Sequence, residues 1–270
     1  MMSATIHPTA VIADSAQIGA NVAIGPYTVV DEGAVIGDNT ILDAHVVIGK
    51  HTKLGKNNRV YAGAVIGRPP QILGFDDDTK IGGLAIGDNN IIREFVTIHP
   101  SMYPDENTVV GNGNLLMINV HLGHDCVLDD KIVISNCTQV SGHCKIQTGA
   151  WLSGMVAIHQ FVTIGKWCYA AGYAGINHDV PPFVIISGHY PVEIRAINRR
   201  GLTRAGLTEQ EQEAVNSAFK YIWRNDGPVM ERVKELANKD DLESPVRDMV
   251  NSLLDSSKQR FGRHLELFRD

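Results

Sequence analysis

Four histidines in the central part of the chain carry side chains suited to acid–base chemistry: His121, His124, His143 and His159. An imidazole has an unperturbed pKa of about 6.5, so it is largely neutral at cellular pH and can accept a proton from a hydroxyl. We take His124 as the candidate general base. Asp125 is its candidate orienting carboxylate, although alternation along an extended strand could turn it away, toward His143 or another subunit.

A backbone repeat determines how these residues are arranged. An apolar, mostly branched residue recurs at every sixth position, and glycine often follows it, as at Gly19 and Gly25. The first run comprises Ile12, Ile18, Ile24, Val30, Ile36, Leu42, Ile48, Leu54, Val60 and Ile66, and the phase resumes at Ile86 and at Val110. A period of six is neither that of a helix nor that of a flat strand, and it fits one short strand and one turn of a triangular coil.

Three hexads make a coil of 18 residues, and neighbouring coils hydrogen-bond as parallel strands about 4.8 Å apart. The repeat therefore predicts a mainly β protein built as a parallel β-helix, with branched residues pointing inward and glycine relieving crowding at the turn. A β-sandwich would match this spacing only by chance. A purely structural β-helix, such as an ice-binding one, would show flat arrays of Thr or Ser rather than His and Gly.

The coil length places residues 18 positions apart in one column. Gly142 then stacks directly above His124, where its backbone N–H could stabilise a developing oxyanion. The four histidines should gather within about 10 Å, because they span about two coils. A base beside an oxyanion donor predicts acyl transfer to a hydroxyl. Three histidines could instead bind zinc, as in trimeric β-helix carbonic anhydrases; metal analysis would separate the two, and we predict no metal.

Composition argues against several other functions. The chain has 270 residues with 24 Lys and Arg against 30 Asp and Glu, and this acidic balance argues against nucleic-acid binding. Its four cysteines lack C-x-x-C spacing and no secretion signal is seen, which predicts free thiols and a cytoplasmic location. No apolar run approaches the roughly 18 residues that a membrane span needs, so stable membrane insertion is not expected.

Interruptions of the repeat divide the chain. Residues 1–190 form the predicted β-helix, with insertions at 68–85 and 99–109, and loops that leave a rigid coil are natural places for binding sites. Residues 191–270 are predicted to form a helical domain, because Thr208 begins a capping box and Ser244 could cap a later helix. Basic residues cluster there and suit an acidic protein partner: Arg199, Arg200, Arg204 and Lys220.

The sequence resembles the acyl-[acyl-carrier-protein]:UDP-N-acetylglucosamine O-acyltransferase family, which acts at the first step of lipid A biosynthesis. The segments that carry the resemblance run in order along most of the chain: 92–94 (IRE), 96–99 (VTIH), 114–125 (NLLMINVHLGHD), 141–143 (SGH), 154–155 (GM), 159–161 (HQF) and 179–183 (DVPPF). Hexads alone indicate only a left-handed β-helix acyltransferase. The stretch N-L-L-M-I-N-x-H-x-x-H-D is far more specific.

The resemblance implies a left-handed coil, a homotrimer and active sites in the clefts between subunits. It implies that His124 is the base that deprotonates the 3-hydroxyl of a UDP-sugar. The hydroxyl then attacks the thioester of a 3-hydroxyacyl chain on acyl carrier protein, and Gly142 stabilises the oxyanion. Phosphopantetheine arrives on the carrier, so no resident cofactor is expected. Substrate contacts are implied at Gln71, His99, His121, His143, Gly154, His159, Gln160, Gly172, Asn198 and Arg204, with Gly172 at the floor of the acyl cleft.

The sequence also departs from the family pattern. Gln71-Ile72-Leu73-Gly74 replaces the common Gln-Asp-Leu-Lys in the first insertion, and Pro100 replaces the Arg after His99. The absent loop aspartate bears on contacts with the sugar. The alternative function is therefore acylation of another UDP-sugar, including N-acylation of a 3-amino sugar.

Overall fold

The computed structural model describes residues 4–76 and 78–269 of the chain. Most of the first part forms very short strands separated by turns, as a hexad repeat predicts. The strands of the coil are, in chain order, β1 (Thr5–Ile6), β2 (Val11–Ile12), β3 (Gln17–Ile18), β4 (Ala23–Ile24), β5 (Val29–Val30), β6 (Val35–Ile36), β7 (Ile41–Leu42), β8 (Val47–Ile48), β9 (Thr52–Leu54), β10 (Arg59–Val60), β11 (Val65–Ile66), β12 (Gly83–Ile86), β13 (Ile91–Ile92), β14 (Thr97–Ile98), β15 (Asn107–Val110), β16 (Leu115–Leu116), β17 (His121–Leu122), β18 (Val127–Leu128), β19 (Val133–Ile134), β20 (Gln139–Val140), β21 (Lys145–Ile146), β22 (Trp151–Leu152), β23 (Ala157–Ile158), β24 (Thr163–Ile164), β25 (Tyr169–Ala170) and β26 (Gly175–Ile176).

These strands stack into three sheets, which form the three sides of the coil. The first sheet contains every third strand from β1 to β25, the second every third strand from β2 to β26, and the third every third strand from β3 to β24. Pairing is parallel, and the usual partner lies one 18-residue coil away, as Val133 pairs with Trp151 and Lys145 with Thr163. The predicted parallel β-helix is therefore confirmed.

Two longer segments leave the coil at the same corner, where the second sheet turns into the third. The first loop lies between β11 and β12, and the second loop lies between β14 and β15. They lengthen the coil repeat to 32 residues at Asn58 and to 24 residues at Thr97. Strand β12 begins at Gly83 and β15 at Asn107, within the ranges 68–85 and 99–109 that the sequence suggests for insertions.

Two side chains of each hexad fill the interior of the coil. Ile36 and Ile48 are at most 1% exposed, and so are Ala34 and Val46, which lie two positions earlier in their hexads. The sequence pattern predicted only the first of these two rows. The second row includes a ladder of buried asparagines, whose side-chain oxygens accept backbone N–H bonds from the next coil: Asn58, Asn90 and Asn114. Buried amides are thus paired within the stack.

Glycine follows the inward residue because neighbouring coils approach closely there. A Cβ added to Gly25 would lie 2.7 Å from the carbonyl carbon of Asp43 in the next coil. The left-handed backbone that makes the turn occurs two positions later, at residues such as Tyr27 (φ 57°) and Asn39 (φ 58°). Glycine therefore relieves crowding, as predicted, while a different residue of the hexad makes the turn.

Beyond the coil, β27 (Val184–Ser187) and β28 (Glu193–Ile197) extend the first sheet and pair with each other antiparallel. Helices follow in the described residues: α1 (Arg199–Arg204), α2 (Glu209–Trp223), α3 (Val229–Ala237), α4 (Ser244–Ser257) and the 3-10 helix η1 (His264–Phe268). Among the described residues, no helix combines the length and the apolar character needed to cross a membrane.

The helix ends test the predicted capping residues. Thr208 forms the predicted capping box at the start of α2. The prediction that Ser244 caps a helix is wrong, because Val246 donates its backbone N–H to the carbonyl of Glu243 at 3.0 Å and Glu243 is the N-cap. Pro245 lies in the first turn of α4, where a missing N–H costs no intrahelical hydrogen bond.

The four cysteines are free, as their spacing predicts. Cys126, Cys144 and Cys168 are buried, and Cys137 is partly exposed. Burial raises the pKa of Cys168 to about 12. The thiol of Cys168 therefore stays protonated, and the three buried cysteines pack as small apolar residues of the core.

Candidate active site

The histidines gather where the second sheet turns into the third. We name this the histidine corner; its central turns are residues 123–126, 141–144 and 159–162, and both loops leave the coil on the same side. His124 follows β17, and Gly142 follows β20 in the next coil. A Cβ added to Gly142 would lie 2.8 Å from Nε2 of His124, so Gly142 stacks directly over the imidazole, as the coil spacing predicts.

His124 and Asp125 form a hydrogen-bonded pair, with 2.6 Å between Nδ1 and Oδ2. Asp125 has a φ of 60°, so it belongs to a turn and the alternation of an extended strand does not apply to it. The expectation that alternation turns Asp125 away from His124 is therefore wrong. Because a carboxylate only accepts, Nδ1 carries the proton of the neutral ring, and Nε2 is left as an acceptor on the side of Gly142.

The second loop holds the other side of Asp125. Ser101 donates its hydroxyl to Oδ1, and the backbone N–H of Met102 donates to Oδ2 at 3.3 Å. The backbone N–H of Asp125 donates to Oγ1 of Thr108 at 2.7 Å. Burial raises the pKa of Asp125, but the bonds from His124, Ser101 and Met102 outweigh it and hold the pKa below its usual value. Asp125 is therefore a carboxylate at neutral pH.

Sequence reasoning missed Ser101 and Thr108. The available signal was the coil phase, because β14 lies next to β17 in the second sheet and the loop after β14 emerges beside the His124 turn. That signal gives the neighbourhood of the loop. It does not give the side-chain contacts, since the conformation of an insertion is not part of the repeat.

His143 joins the pair from the next coil. Its ring stacks on Phe161 with centroids 4.5 Å apart and planes 8° apart, and it meets the ring of His124 edge-on at 4.9 Å. Nε2 of His143 lies 3.8 Å from Oδ2 of Asp125. Burial lowers the pKa of His143, and the nearby charge of Asp125 opposes this only in part. The ring is therefore neutral at pH 7.

His121 is the first residue of β17 in the second sheet, just before the histidine corner. Its Nδ1 is 2.8 Å from Oγ1 of Thr97. Burial lowers the pKa of His121 to about 4, and the neighbouring rings of His99 and His124 contribute. At neutral pH the ring therefore offers hydrogen bonds without a positive charge.

His99 ties the first loop to the histidine corner. Its Nδ1 lies 2.9 Å from the carbonyl oxygen of Arg68 and 2.8 Å from that of Pro69, so Nδ1 is the donor. Its Nε2 is buried and has no hydrogen-bond partner in the described part of the chain. The centroid of the His99 ring is 5.2 Å from that of His121. The first loop is thereby anchored beside the candidate site.

Within a single chain, the described residues do not bring three histidines together as ligands of one zinc ion. The group there whose possible ligand atoms all lie within 4.8 Å of one another consists of His124, Asp125 and His143. Its shortest contact is the 2.6 Å between Nδ1 of His124 and Oδ2 of Asp125. Two ligands of one tetrahedral zinc, with bonds of about 2.1 Å, stand farther apart than that. The arrangement therefore fits an acid–base pair better than a zinc centre.

Three further predicted contact residues lie outside the interior of the coil. His159 and Gln160 lie in the turn after β23 at the histidine corner, and both are partly exposed. Nδ1 of His159 is 3.0 Å from the carbonyl oxygen of Gln160. Gln71 lies in the first loop and is exposed. All three side chains are therefore accessible from the outside of the coil.

Gly154 and Gly172 lie at a different corner, where the first sheet turns into the second. A Cβ added to Gly172 would lie 3.4 Å from the carbonyl oxygen of Gly154, and no other described residue beyond its chain neighbours places a heavy atom within 4 Å. The two glycines thus form one open column. Within a single chain, the structure does not bring them to His124.

Asn198 and Arg204 lie against the first sheet and the turns that lead into it. Asn198 caps α1 and donates Nδ2 to the carbonyl of Trp167 at 2.8 Å. The guanidinium of Arg204 lies 4.8 Å from the ring of Trp151. Both residues line a cavity of about 90 Å³ that contains Trp151, Trp167 and Tyr169. This cavity is separate from the histidine corner of the same chain.

The corner that carries the two glycines also exposes large apolar side chains. We name it the apolar corner; its side chains are Tyr27, Phe95, Met155 and Tyr173, which are between 51% and 72% exposed. Each of the four occupies the left-handed position of its turn, with φ between 57° and 61°. Large exposed apolar side chains at one corner are typical of a surface that a partner covers.

Comparisons with known proteins agree with these features. Residues 179–262 match the family model described as UDP N-acetylglucosamine O-acyltransferase, domain 2, and residues 33–68 match that of bacterial transferase hexapeptide repeats. A relative from Aliivibrio fischeri (strain MJ11), named acyl-[acyl-carrier-protein]–UDP-N-acetylglucosamine O-acyltransferase, is 45% identical over 94% of this chain and 96% of its own. A relative of the same name from Gloeothece citriformis is 41% identical over 66% of this chain. The chain spans 63% of the length of that cyanobacterial relative.

The fold is shared with solved structures over nearly the whole chain. The crystal structure of the Francisella novicida UDP-N-acetylglucosamine acyltransferase matches with a TM-score of 0.86 and 35% identity, covering 96% of this chain and 93% of that one. The repeat, the helical C-terminal part and the histidine corner all fall within these matches. The chain therefore belongs to the UDP-N-acetylglucosamine O-acyltransferase family.

Proposed function

We propose that the protein transfers a 3-hydroxyacyl chain from acyl carrier protein to the 3-hydroxyl of UDP-N-acetylglucosamine, the first step of lipid A biosynthesis. The observation that carries the proposal is the His124–Asp125 pair with Gly142 stacked over its imidazole. A base beside a backbone position without a side chain suits attack of a hydroxyl on a thioester. The name of the Aliivibrio fischeri relative, which matches along nearly the whole chain, supports the same reaction.

In the proposed reaction, Nε2 of His124 accepts the proton of the sugar hydroxyl while Asp125 holds Nδ1. The hydroxyl oxygen attacks the thioester carbonyl and forms a tetrahedral intermediate, whose negative oxygen accepts a hydrogen bond from the N–H of Gly142. Collapse of the intermediate leaves the new ester and breaks the carbon–sulfur bond. His124 then returns the proton to the phosphopantetheine thiolate of the carrier.

Neutral histidines around the pair suit this chemistry. The pKa of His121 is lowered to about 4 and that of His143 is lowered as well, both mainly by burial. Neither ring therefore places a positive charge beside His124, where it would oppose protonation of the base. The rings can bind polar groups of the substrates without competing for the transferred proton.

The proposed active form is a homotrimer in which the apolar corner of one chain faces the histidine corner of the next. A contact between two different surfaces closes into a ring under threefold symmetry. The exposed side chains of the apolar corner favour burial against a second chain. The open column at Gly154 and Gly172 leaves room for an acyl chain beside them. This arrangement would unite predicted contact residues that a single chain keeps on separate corners.

The proposed protein partner is acyl carrier protein, whose surface is strongly acidic. Arg199, Arg200, Arg204 and Lys220 are exposed on α1 and α2 and suit such a surface. Association should therefore weaken as salt rises. The free cysteines fit a protein that works in the reducing cytoplasm.

Turnover with a panel of carrier thioesters and UDP-sugars tests the proposal. We expect UDP-N-acetylglucosamine to be acylated at its 3-hydroxyl, with a base-labile ester as product and a KM for the carrier that rises with salt. Faster turnover of a 3-amino sugar would favour the alternative N-acylation, to which the altered loop sequence from Gln71 to Gly74 points. No transfer to any UDP-sugar would contradict the proposal.

A further inference from the structure

We propose that Ser101, supplied by the second loop, is a positioning residue that holds Asp125 and thereby orients the base His124. The inference rests on the proposed acyltransferase function. Ser101 is fully buried, and its hydroxyl donates to Oδ1 of Asp125. The same hydroxyl oxygen lies 3.2 Å from the carbonyl of Tyr103 and accepts the N–H of Tyr103 at 3.0 Å. Because a carboxylate is a charged acceptor, the single hydroxyl proton goes to Asp125 and not to the carbonyl of Tyr103.

The hydroxyl of Ser101 determines which way the carboxylate turns. Oδ2 of Asp125 lies 2.6 Å from Nδ1 of His124, whereas Nε2 of His143 lies 3.8 Å from the same oxygen. With Oδ1 bound to Ser101, the carboxylate cannot rotate to bond His143 without losing a hydrogen bond. Without Ser101 the two histidines compete for Asp125. His124 could then adopt the tautomer that carries its proton on Nε2, which cannot accept a proton from a substrate.

Both loops together hold Ser101 in place. The backbone N–H of Ser101 donates to the carbonyl of Gly83 at 3.0 Å, and the N–H of Gly82 donates to the carbonyl of Ser101 at 2.9 Å. Gly82 and Gly83 lie where the first loop rejoins the coil. The backbone of Ser101 is thus anchored independently of its side chain, so removing the hydroxyl should leave the loop in place. The hydrogen bond to Asp125 is therefore not required for the second loop to keep its conformation.

Kinetics of Ser101→Ala test the proposal against a matched control. We expect a kcat about tenfold lower, with the KM for each substrate within about twofold, because the lost bond to a charged group acts on the base and not on substrate binding. Ser217→Ala also removes a serine–carboxylate contact, 3.4 Å to Glu213 on the exposed face of α2, and should leave kcat unchanged.

Two further variants distinguish the loss of the hydrogen bond to Asp125 from the loss of side-chain packing at position 101. Ser101→Thr retains the hydroxyl and should keep most of the wild-type kcat. Ser101→Cys replaces the hydroxyl with a weak donor of similar size, so it should show the same loss as the alanine variant and serves in its place if that variant does not fold. Circular dichroism and the mass of the assembly verify folding in each case.

A readout without substrate distinguishes this inference from the proposed function. In ¹⁵N-histidine NMR, signals of His124 are assigned by their loss in His124→Ala, and the wild-type ring should carry its proton on Nδ1. Ser101→Ala should show a mixture of tautomers, whichever substrate the enzyme uses. A wild-type kcat in Ser101→Ala would overturn the inference, as would a lower kcat with an unchanged tautomer of His124.

Discussion

The histidine corner and the apolar corner are built from the same repeat, and their side chains make them different. Both corners place a residue in the left-handed position of each turn: Asp125 and His143 at φ 60°, Met155 at φ 58° and Tyr173 at φ 61°. Asp125 and His143 are polar, largely buried and in contact with their neighbours. Met155 and Tyr173 are apolar and exposed. The repeat sets the position of each side chain. The chemistry of that side chain then determines whether the corner forms a reactive site or an interaction surface.

The loops account for the difference in burial between the two corners. Both loops leave the coil beside the histidines, where the first anchors His99 and the second bonds Asp125 through Ser101. The apolar corner has no such loop among the described residues, and Phe95 and Tyr173 are exposed there. A corner that no loop of the same chain covers can bury its apolar surface only against another molecule. The predictions below separate the reactive corner from the docking one.

The largest expected effect is at the base. His124→Ala should lower kcat by about 10²–10⁴-fold, because the proposed reaction has one proton acceptor beside the oxyanion position. Assembly and secondary structure should be unchanged, since the side chain of His124 lies outside the coil interior. His7→Ala, at an exposed histidine near the start of the coil, should retain kcat within about twofold. A kcat near wild type in His124→Ala would remove this residue from the mechanism.

The position stacked over His124 should be nearly as sensitive. A Cβ at Gly142 would lie 2.8 Å from Nε2 of His124, so Gly142→Ala must displace the imidazole or block the oxyanion position. We expect a kcat about 10²-fold lower, the size of effect that loss of an oxyanion donor produces. Steady-state kinetics at saturating concentrations of both substrates measure this. A wild-type kcat in Gly142→Ala would show that the reaction does not take place beside Gly142.

The apolar corner is tested by introducing charge. Met155→Glu combined with Tyr173→Glu should raise the trimer dissociation constant by at least about 10²-fold, because two apolar contacts become buried charges. Analytical ultracentrifugation reads the mass, and circular dichroism confirms the coil. Ile6→Glu alters an exposed apolar residue of β1, outside both named corners, and should leave the mass unchanged. A double variant that remains trimeric at equal concentration would place the interface elsewhere.

The open column at the apolar corner predicts the length of the acyl chain. Gly172 has space beside its Cα, so the wild-type protein should prefer 3-hydroxyacyl chains of about twelve to fourteen carbons. Gly172→Met should shift the preference toward about ten carbons. Two methylenes, at about 0.8 kcal/mol each, correspond to roughly a tenfold change in relative kcat/KM. Competition between carrier thioesters of different lengths measures it, and a wild-type preference for ten carbons or fewer would assign the floor to another residue.

Two carboxylates in one column of the histidine corner behave differently. Asp179 continues the column of Asp125, His143 and Phe161, and it accepts backbone N–H bonds from Thr163 at 2.7 Å and His264 at 2.8 Å. Burial nevertheless raises the pKa of Asp179 to about 6, whereas hydrogen bonds hold the pKa of Asp125 below its usual value. The side-chain donors His124 and Ser101 distinguish Asp125, since Asp179 is bonded by backbone groups.

This contrast gives the smallest predicted effect. A carboxyl whose folded pKa exceeds its ordinary 3.8 stabilises the fold below that value and loses this contribution as pH rises through about 6. The free energy of unfolding should therefore fall by about 2 kcal/mol from this group over that range. Asp179→Asn should abolish the fall, which denaturant titration at several pH values would detect. Asp125 acts in the opposite sense, since its lowered pKa makes its contribution disappear as pH falls.

Much of the candidate site could be derived by counting residues. The stacking of Gly142 over His124 follows from the 18-residue coil, as does the clustering of His143 with that pair. The direction of Asp125 did not follow, because strand alternation fails in a turn whose residue has φ 60°. The part played by Ser101 could not be derived either, because it lies in an insertion that the repeat does not describe.

The sequence by itself determined the coil, its columns and the family, because each hexad bonds to the one 18 residues later and register in such a stack is a matter of counting. Only the tertiary structure decided the conformation of the two loops that interrupt the repeat and lengthen their coils to 32 and 24 residues. There the chain follows contacts that no period encodes, such as His99 with the carbonyl of Arg68 and Ser101 with Asp125. Repeating hydrogen bonds propagate a register along the chain, whereas a loop takes the conformation that its particular neighbours stabilise.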